Sequence, residues 1–279
     1  MERSLSDKAA FVVGCVRMLG LEAQASRLSQ FYDVLHKLDG TSKGLIEPGA
    51  PGFQIACEAL RDLTQLEFFF DQVDIASESQ EIKPKVKLVV KDSTLPQDAA
   101  PESPGRDAQA ELFVFGACRK AGLKPVFKEP DIVCTLSGQA LPLAVKRVKN
   151  MKQLVKRIRE GARQITRAAD YGIIFVDVVI AMNPKNHRVI AKMPDTDFGS
   201  AWSELLGELV KRHYGGIQQA IHNERVLGVI LHDHWVRMDS SDHWRLETMT
   251  YGVPAHGRQL TEFIGKYLHA LPNLKWVTK

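Results

Sequence analysis

The stretch EPDIVCTLSGQALPLAVKR, residues 129–147, decides the fold prediction. Apolar residues fill both halves of the stretch, and Ser137 and Gly138 separate the halves with a turn signal. The segment therefore predicts two strands joined as a hairpin, over residues 125–136 and 139–148.

Helices and further strands are predicted on either side of this hairpin. A helix over residues 150–169 follows it, and then YGIIFVDVVIAM, residues 171–182, a nearly continuous apolar run that is typical of a strand covered on both faces. The other predicted elements are helices over residues 108–122, 200–223 and 258–271 and strands over residues 226–237 and 243–251. This order predicts an α/β domain, a mixed sheet flanked by helices, over residues 108–279.

The first part of the chain has a different pattern. Apolar residues at helical spacing over residues 6–38 and 53–73 predict a small all-helical unit, residues 1–75. Residues 76–107 are rich in Ser, Glu, Lys, Asp and Pro and contain one short strand-like segment, KVKLVV. We expect a partly disordered linker there, because so little apolar surface is available for packing.

Composition places the chain among ordinary globular proteins, with 44% hydrophobic and 25% charged residues in 279. No apolar run approaches the roughly 20 residues that span a bilayer, so we expect a cytoplasmic protein without a membrane partner. The four cysteines lie far apart without metal-binding spacing, which predicts buried reduced thiols. A formal net charge of +4 permits a polyanionic partner but does not require one.

The hairpin also brings together two residue types that suit phosphodiester hydrolysis. Asp131 lies near the start of its first strand and Lys146 near the end of its second. Side chains on paired strands can converge on one face of a sheet. A carboxylate can bind Mg²⁺, and a lysine can orient the attacking water, so the two residues predict a hydrolytic site.

The segments EPDI and LAVKR, the basic helix containing ARQI and the upstream helix AELFVFGACRKAGL together resemble the PD-(D/E)XK nuclease superfamily, over residues 108–184. This superfamily includes restriction, repair and Holliday-junction enzymes. The resemblance implies a restriction-endonuclease-like fold and a nuclease dependent on Mg²⁺ or Mn²⁺, acting on DNA in restriction, defence or repair. It implies that Asp131 and Glu111 bind the metal, that Lys146 is the catalytic lysine and that Gln164 belongs to the site.

One position departs from the superfamily pattern. Two residues before the lysine, where the superfamily has Asp or Glu, this chain has Ala144. Either Glu111, helped by Glu129, completes the metal site with Asp131, or the domain has lost catalysis and binds nucleic acid or a protein complex. A third hypothesis is a protein-interaction module without a nucleic-acid role.

The helix after the hairpin is strongly basic. Its apolar stripe comprises Val148, Met151, Val155, Ile158, Ala162, Ile165 and Ala169. A cationic ridge beside the stripe comprises Lys149, Lys152, Lys156, Arg159, Arg163 and Arg167, and Arg147 precedes it. These seven cations are predicted to bind nucleic-acid phosphates, which fix position rather than read sequence. The alternative is an ordinary solvated helix face.

Three further features leave alternatives open. His232 and His234 share a strand face and could ligate zinc, but no third ligand follows at fixed spacing, which favours a polar strand face. Asp177 interrupts an apolar strand, so it lies near the site or meets a cation. The N-terminal helical unit is predicted to bind a protein partner or to form a homodimer.

Overall fold

The computed structural model describes residues 3–23, 26–40, 50–96, 98, 103–169, 171–184, 190–191, 195–222, 225–238, 244–255 and 258–270. The chain forms two compact units. One comprises residues 1–116 with 185–189, and the other residues 117–184 with 190–279. We call them the N-terminal unit and the C-terminal unit.

Helices build the described part of the N-terminal unit. They are α1 (Leu5–Met18), α2 (Arg27–Gly40), α3 (Phe53–Phe70), α4 (Ile75–Lys91) and α5 (Pro104–Lys120), which the unit boundary divides after Gly116. The predicted helical character of this region is therefore confirmed over the described residues.

Helix α4 replaces the first part of the predicted linker. The segment KVKLVV was predicted as a strand, and this prediction was wrong, because it forms the last turns of α4. Asp74 caps the helix, its side chain accepting a hydrogen bond from the Ala76 N–H at 3.1 Å. Ile82, Val86, Val89 and Val90 recur at three- and four-residue steps and are all buried. This apolar face stabilises a helix even though Pro84 lies inside it.

A buried charge network joins α2, α3 and α5. Its members are Arg27, Glu58, Arg61, Asp62, Arg106 and Gln109. Asp62 is its centre: one carboxylate oxygen accepts from Arg27 and from Arg106, each at 3.1 Å, and the other accepts from the Gln109 amide at 3.0 Å. Ionised side chains are tolerated away from water here because each is hydrogen bonded to an opposite charge or a polar group.

A mixed sheet forms the centre of the C-terminal unit. Its described strands are β1 (Val126–Lys128), β2 (Asp131–Leu136), β3 (Gln139–Arg147), β4 (Gly172–Asp177), β5 (Ile190–Ala191), β6 (Val226–Met238) and β7 (Trp244–Pro254). The helices are α6 (Leu154–Ala168), α7 (Val179–Met182), α8 (Asp195–Ile221) and α9 (Arg258–Ala270). The predicted mixed sheet with flanking helices, preceded by a helical N-terminal unit, is confirmed.

The order of the sheet is β1-β2-β3-β4-β6, and β6 also pairs with β5 and β7. β1, β2 and β3 are antiparallel neighbours, β3, β4 and β6 are parallel, and β7 is antiparallel to β6. The apolar run predicted as one strand over residues 171–182 divides into β4 and α7. Asp177 makes this division, because its side chain accepts a hydrogen bond from the Val179 N–H at 3.0 Å.

Helices pack on the two faces of the sheet. Helix α6 packs on one face, which we call the α6 face. Its Gly161 lies so close to the sheet that an added Cβ atom would be 3.1 Å from Ile174 and 3.5 Å from Ala144. On the other face, the α9 face, the Phe175 ring lies 6.0 Å from Phe263 and 5.1 Å from Tyr267. The strands at the centre of the sheet are therefore covered on both sides, which explains their apolar composition.

Two further predictions concern the whole chain. All four cysteines are buried and none forms a disulfide. Burial raises the pKa of the Cys57 thiol to about 12, so it stays protonated at neutral pH. Among the described helices, none is both long enough and apolar enough to cross a membrane.

Candidate functional site

The β2–β3 hairpin brings Asp131 and Lys146 together. Ser137 and Gly138 form its two-residue turn and both have positive φ, 49° and 80°, which is the backbone of a type I′ turn. The turn fixes a register in which Ile132 pairs with Leu143. One residue further along, Asp131 lies opposite Ala144 and therefore on the same face as Lys146. The ammonium Nζ of Lys146 donates to Asp131 Oδ2 at 2.8 Å.

This Asp131–Lys146 pair is well ordered by main-chain contacts. Asp131 Oδ2 also accepts a hydrogen bond from the Val145 N–H at 2.7 Å, and Lys146 Nζ donates to the Val145 carbonyl at 3.0 Å. The side chains of Lys146 and Asp131 are 13% and 15% exposed. The pair is therefore partly shielded from water but can still be reached by a ligand.

Ala144 fills the second acidic position of the superfamily pattern with a buried methyl group. It is 0% exposed and lies under Gly161 of α6. Within the described ranges, no group of three or more His, Cys, Asp or Glu side chains is placed to hold a metal ion. The described residues therefore do not form the two-carboxylate Mg²⁺ or Mn²⁺ site that the resemblance implies, because Asp131 is the one carboxylate that the β2–β3 hairpin offers where the superfamily pattern has two.

Glu111, the other predicted metal ligand, belongs to the N-terminal unit. It is buried in α5, and its carboxylate forms an ion pair with Lys85 of α4. A metal ion bound by Glu111 would have to compete with that ammonium group. Glu129 is exposed in the turn between β1 and β2.

Gln164 lies far along α6 from the pair. Ile165, its neighbour, lies 3.1 Å from the place where a Cβ on Gly172 would be, and Gly172 is the first residue of β4. Lys146 pairs instead with Val176, close to the other end of β4. Gly172 and Val176 are four residues apart on β4, which is roughly 13 Å at about 3.3 Å per strand residue. The structure therefore does not bring Gln164 to Lys146. Gln164 Oε1 is buried and accepts no hydrogen bond from the described residues.

Arg147 was predicted to bind phosphates, and the structure places its side chain in a buried position. Neighbouring residues of a strand point to opposite faces, so Arg147 lies on the α9 face while Lys146 lies on the α6 face. It is 6% exposed, and its Nε lies 3.4 Å from Asp177 Oδ2. Asp177 thus meets a cation from the neighbouring strand rather than from a helix.

The cationic ridge runs along α6 and the segment just before it, which includes a 3₁₀ turn, Met151–Gln153, that contains Lys152. Lys152, Lys156, Arg159, Arg163 and Arg167 are exposed and Lys149 is half-buried. The opposite side of the helix is anchored by five buried residues: Leu154, Ile158, Gly161, Ala162 and Ile165. Glu160 pairs with Arg157 at 2.8 Å and lies 4.0 Å from Lys156. The apolar and cationic sides of the helix are therefore separated as predicted, but Leu154 and Gly161 were not assigned to the stripe, and its members Met151, Val155 and Ala169 are half-buried.

The histidines of β6 are buried on the α9 face. Their rings stack 6.1 Å apart, and His234 Nδ1 lies 2.9 Å from the Thr248 hydroxyl. Burial, together with the charge of His234, lowers the pKa of His232 to about 3. His232 Nε2 lies 3.3 Å from the Tyr267 hydroxyl. At neutral pH His232 is therefore an uncharged part of the core.

Asp233, between these histidines, was not identified from the sequence. It points to the α6 face, where its Oδ2 accepts from the indole N–H of Trp202 at 2.8 Å and of Trp235 at 2.6 Å. Burial raises the pKa of this carboxyl to about 7 despite the two indole hydrogen bonds. The signal was an acidic residue within an apolar strand and beside a tryptophan, a pattern that requires buried donors.

The described geometry of the C-terminal unit thus includes the partly exposed Asp131–Lys146 pair and an exposed row of cations. Lys146 lies at the end of β3, and the row begins two residues after that strand, at Lys149. Comparisons with protein-family models and with curated protein sequences found no match, so the likeness to the PD-(D/E)XK superfamily stays a prediction.

Proposed function

We propose that this chain binds nucleic acid, DNA in the first instance, through the cationic ridge of α6. The observation that supports this is the exposure of five cations, Lys152 to Arg167, at three- and four-residue steps on one face of an anchored helix. Like charges so arranged repel one another, and phosphates relieve that repulsion. The fold that we propose for the C-terminal unit is restriction-endonuclease-like, in keeping with its order of hairpin, helix and strand.

The length and rigidity of the ridge match a nucleic-acid backbone. Lys152 and Arg167 are 15 positions apart, which is about 22 Å along a helix. One strand of duplex DNA carries a phosphate about every 3.4 Å of helix axis, so the ridge can follow several phosphates. Gly161 packs closely on Ile174, and Val155 lies against Gly216 of α8. Because α6 is held from two sides, the cations are positioned before binding.

The ridge is suited to position a duplex rather than to read its sequence. Its exposed side chains are Lys and Arg, whose usual partners are phosphate oxygens, and Arg can contact a phosphate through two N–H groups. We therefore expect binding that depends strongly on salt and weakly on base sequence.

The first prediction tests the ridge directly. Replacing Lys152, Lys156 and Arg159 together by glutamine should weaken DNA binding by about 10- to 100-fold at low salt and reduce the slope of log K against log[salt] by about 2 to 3, because three phosphate contacts are lost. Fluorescence anisotropy with two labelled duplexes of unrelated sequence measures both quantities. Both duplexes should be affected equally.

A matched control removes three exposed lysines from other elements: Lys124, Lys211 and Lys266, replaced by glutamine. The net charge changes by the same amount, so a specific ridge predicts nearly unchanged binding in this variant. Equal weakening in both variants, or full binding by the ridge variant, would rule out the ridge as the binding surface.

A second candidate function is phosphodiester hydrolysis at the Asp131–Lys146 pair. The 2.8 Å contact between a partly exposed carboxylate and ammonium favours it, as does the closeness in sequence of Lys146 to the ridge. The ammonium could hold a phosphate oxygen or orient a water molecule, and Asp131 keeps it in place. We assign no step to a metal ion, because the described residues contain no group of three or more His, Cys, Asp or Glu side chains that could hold one.

The second prediction concerns this reaction. If the pair hydrolyses DNA, Lys146→Ala should lower the cleavage rate by at least about 100-fold while DNA binding persists, because the ridge is intact. The assay uses plasmid, linear, single-stranded and branched DNA with Mg²⁺, Mn²⁺ or EDTA. Cutting that requires a cation would reveal ligands beyond those described. Binding without cutting on every substrate would eliminate the hydrolase and leave the binding function.

A further inference from the structure

We propose a second anion-binding site, in the N-terminal unit, that takes a chain of at least three phosphates such as the triphosphate of a nucleotide. The site is a cleft of about 750 Å³ between α2 and α4. Three lysines of α4, Lys83, Lys87 and Lys91, line it. The cleft shares no residue with the cationic ridge, so an experiment that disproves one of the two binding sites leaves the other proposal intact.

The three lysines form one row because they lie four residues apart on a helix. Successive members are about 6 Å apart along the axis, and the row spans about 12 Å. All three are exposed, whereas Ile82, Val86 and Val89 of the same helix are buried. No ion pair among the described residues neutralises any of the three lysines. The row therefore faces the cleft with its charge available to a ligand.

Asp92, the acidic residue that follows the lysine row, already accepts hydrogen bonds from groups of its own unit. Asp92 Oδ2 accepts hydrogen bonds from the Ser103 hydroxyl at 2.6 Å and the Arg106 N–H at 2.7 Å, and Oδ1 accepts from the Ser93 N–H at 2.7 Å. Although burial raises the pKa of Asp92, these bonds and the nearby Arg27 and Arg106 outweigh that effect and lower it. The Asp92 carboxylate is therefore already hydrogen bonded to these three donors, and Glu22 is the other acidic residue of the described lining.

The remaining lining adds hydrogen-bonding groups to the lysine row. Ser26, Gln30 and Thr94 contribute to it. The Thr94 hydroxyl donates a hydrogen bond to Gln30 Oε1 at 2.8 Å, which links α2 to the segment that follows α4. A Cβ on Gly20 would lie 3.4 Å from Lys83 Nζ, so the chain passes close beneath the lysine row there. None of the lining residues is aromatic, so the recognised group is the charged chain rather than a stacked base.

The size of the cleft distinguishes a small ligand from a duplex. A volume of this order lies within the roughly 300–1,000 Å³ of small-molecule pockets. A row about 12 Å long matches three linked phosphates better than one, because a single phosphate can reach only part of it. A strong preference for tripolyphosphate over orthophosphate follows.

The third prediction tests this cleft by calorimetric titration of the full chain with sodium tripolyphosphate at low salt. Replacing Lys83, Lys87 and Lys91 together by glutamine should weaken binding by about tenfold or more, because charge-assisted contacts are lost. These side chains are exposed, so the fold should persist, which a thermal melt verifies. The ridge variant with glutamine at Lys152, Lys156 and Arg159 loses the same charge and should bind tripolyphosphate as the parent chain does.

The alternatives are separable. Unchanged binding by the cleft variant, equal weakening in the ridge variant, or equal affinity for orthophosphate and tripolyphosphate would each overturn the site. Titration with ATP identifies the source of the phosphate chain. ATP affinity equal to that of tripolyphosphate assigns recognition to the phosphates alone, and tenfold tighter ATP binding that also depends on the three lysines assigns a nucleotide.

Discussion

Replacing Asp62 by alanine is expected to lower the free energy of unfolding of the N-terminal unit by about 3–5 kcal/mol, the usual cost of removing one partner from a buried ionic network. Asp62 accepts hydrogen bonds from Arg27, Arg106 and Gln109 and is 0% exposed. Without it, Glu58 is the one carboxylate that remains within the network as defined above, beside three arginines. Their charge would remain largely buried with fewer partners.

The two units provide separate signals for this measurement. The four tryptophans of the chain are at positions 202, 235, 244 and 276, so none lies within residues 1–116, and Trp202, Trp235 and Trp244 lie in the described part of the C-terminal unit. Urea unfolding followed by tryptophan fluorescence therefore reports on that unit, and far-ultraviolet circular dichroism also includes the helices of the N-terminal unit. We expect Asp62→Ala to move the circular dichroism transition to lower urea.

Asp71→Ala is the matched control, because Asp71 is a surface partner of Arg3 at 3.0 Å and is 39% exposed. Exposed ion pairs contribute little to stability, so this variant should unfold nearly as the parent chain does. A loss for Asp62→Ala as small as that for Asp71→Ala would show that the network is not a major contributor to the stability of the unit.

The second large effect is expected at Gly172, the first residue of β4. An alanine Cβ there would lie 2.4 Å from the Pro142 carbonyl oxygen of β3 and 3.1 Å from Ile165 of α6. The backbone oxygen cannot rotate away, so the two strands would have to separate. Gly172→Ala should therefore lower the free energy of unfolding of the C-terminal unit by about 3 kcal/mol.

Gly207→Ala makes the same chemical change where there is space. Gly207 lies within α8, and its added Cβ would have nothing within 4 Å. Alanine favours the helix by up to about 1 kcal/mol over glycine, so this variant should be slightly more stable. Tryptophan fluorescence during urea unfolding measures both variants. Similar shifts for the two would contradict the close approach of β3 and β4.

Local sequence patterns predicted much of the C-terminal unit. The Ser137–Gly138 turn fixed the hairpin register, and from that register the contact between Asp131 and Lys146 followed. The amphipathic pattern of α6 likewise predicted which of its cations are exposed. These features depend on residues close in sequence, where strand alternation and helical periodicity apply directly.

Other features depend on contacts that periodicity does not contain. Glu111 pairs with Lys85, 26 residues earlier, and no local pattern indicates that partner. The position of Gln164 depends on the direction of α6 across the sheet. The burial of Arg147 could have been predicted from strand alternation. Arg147 was assigned to the exposed cations instead, because it lies within a run of basic residues. Helix α4 was missed because Pro84 and the polar composition concealed four apolar residues at helical spacing.

The close approach of Ala144 and Gly161 has a consequence for the engineering of the hairpin. The methyl group of Ala144 lies directly under the α6 backbone, with Ile174 beside it. A glutamate at position 144 would need space for four more heavy atoms in this closed layer, so a single substitution there cannot place a second carboxylate beside Asp131. A two-carboxylate hairpin therefore requires α6 to be redesigned first, and a designer who wants that site would do better to begin from the exposed turn at Glu129.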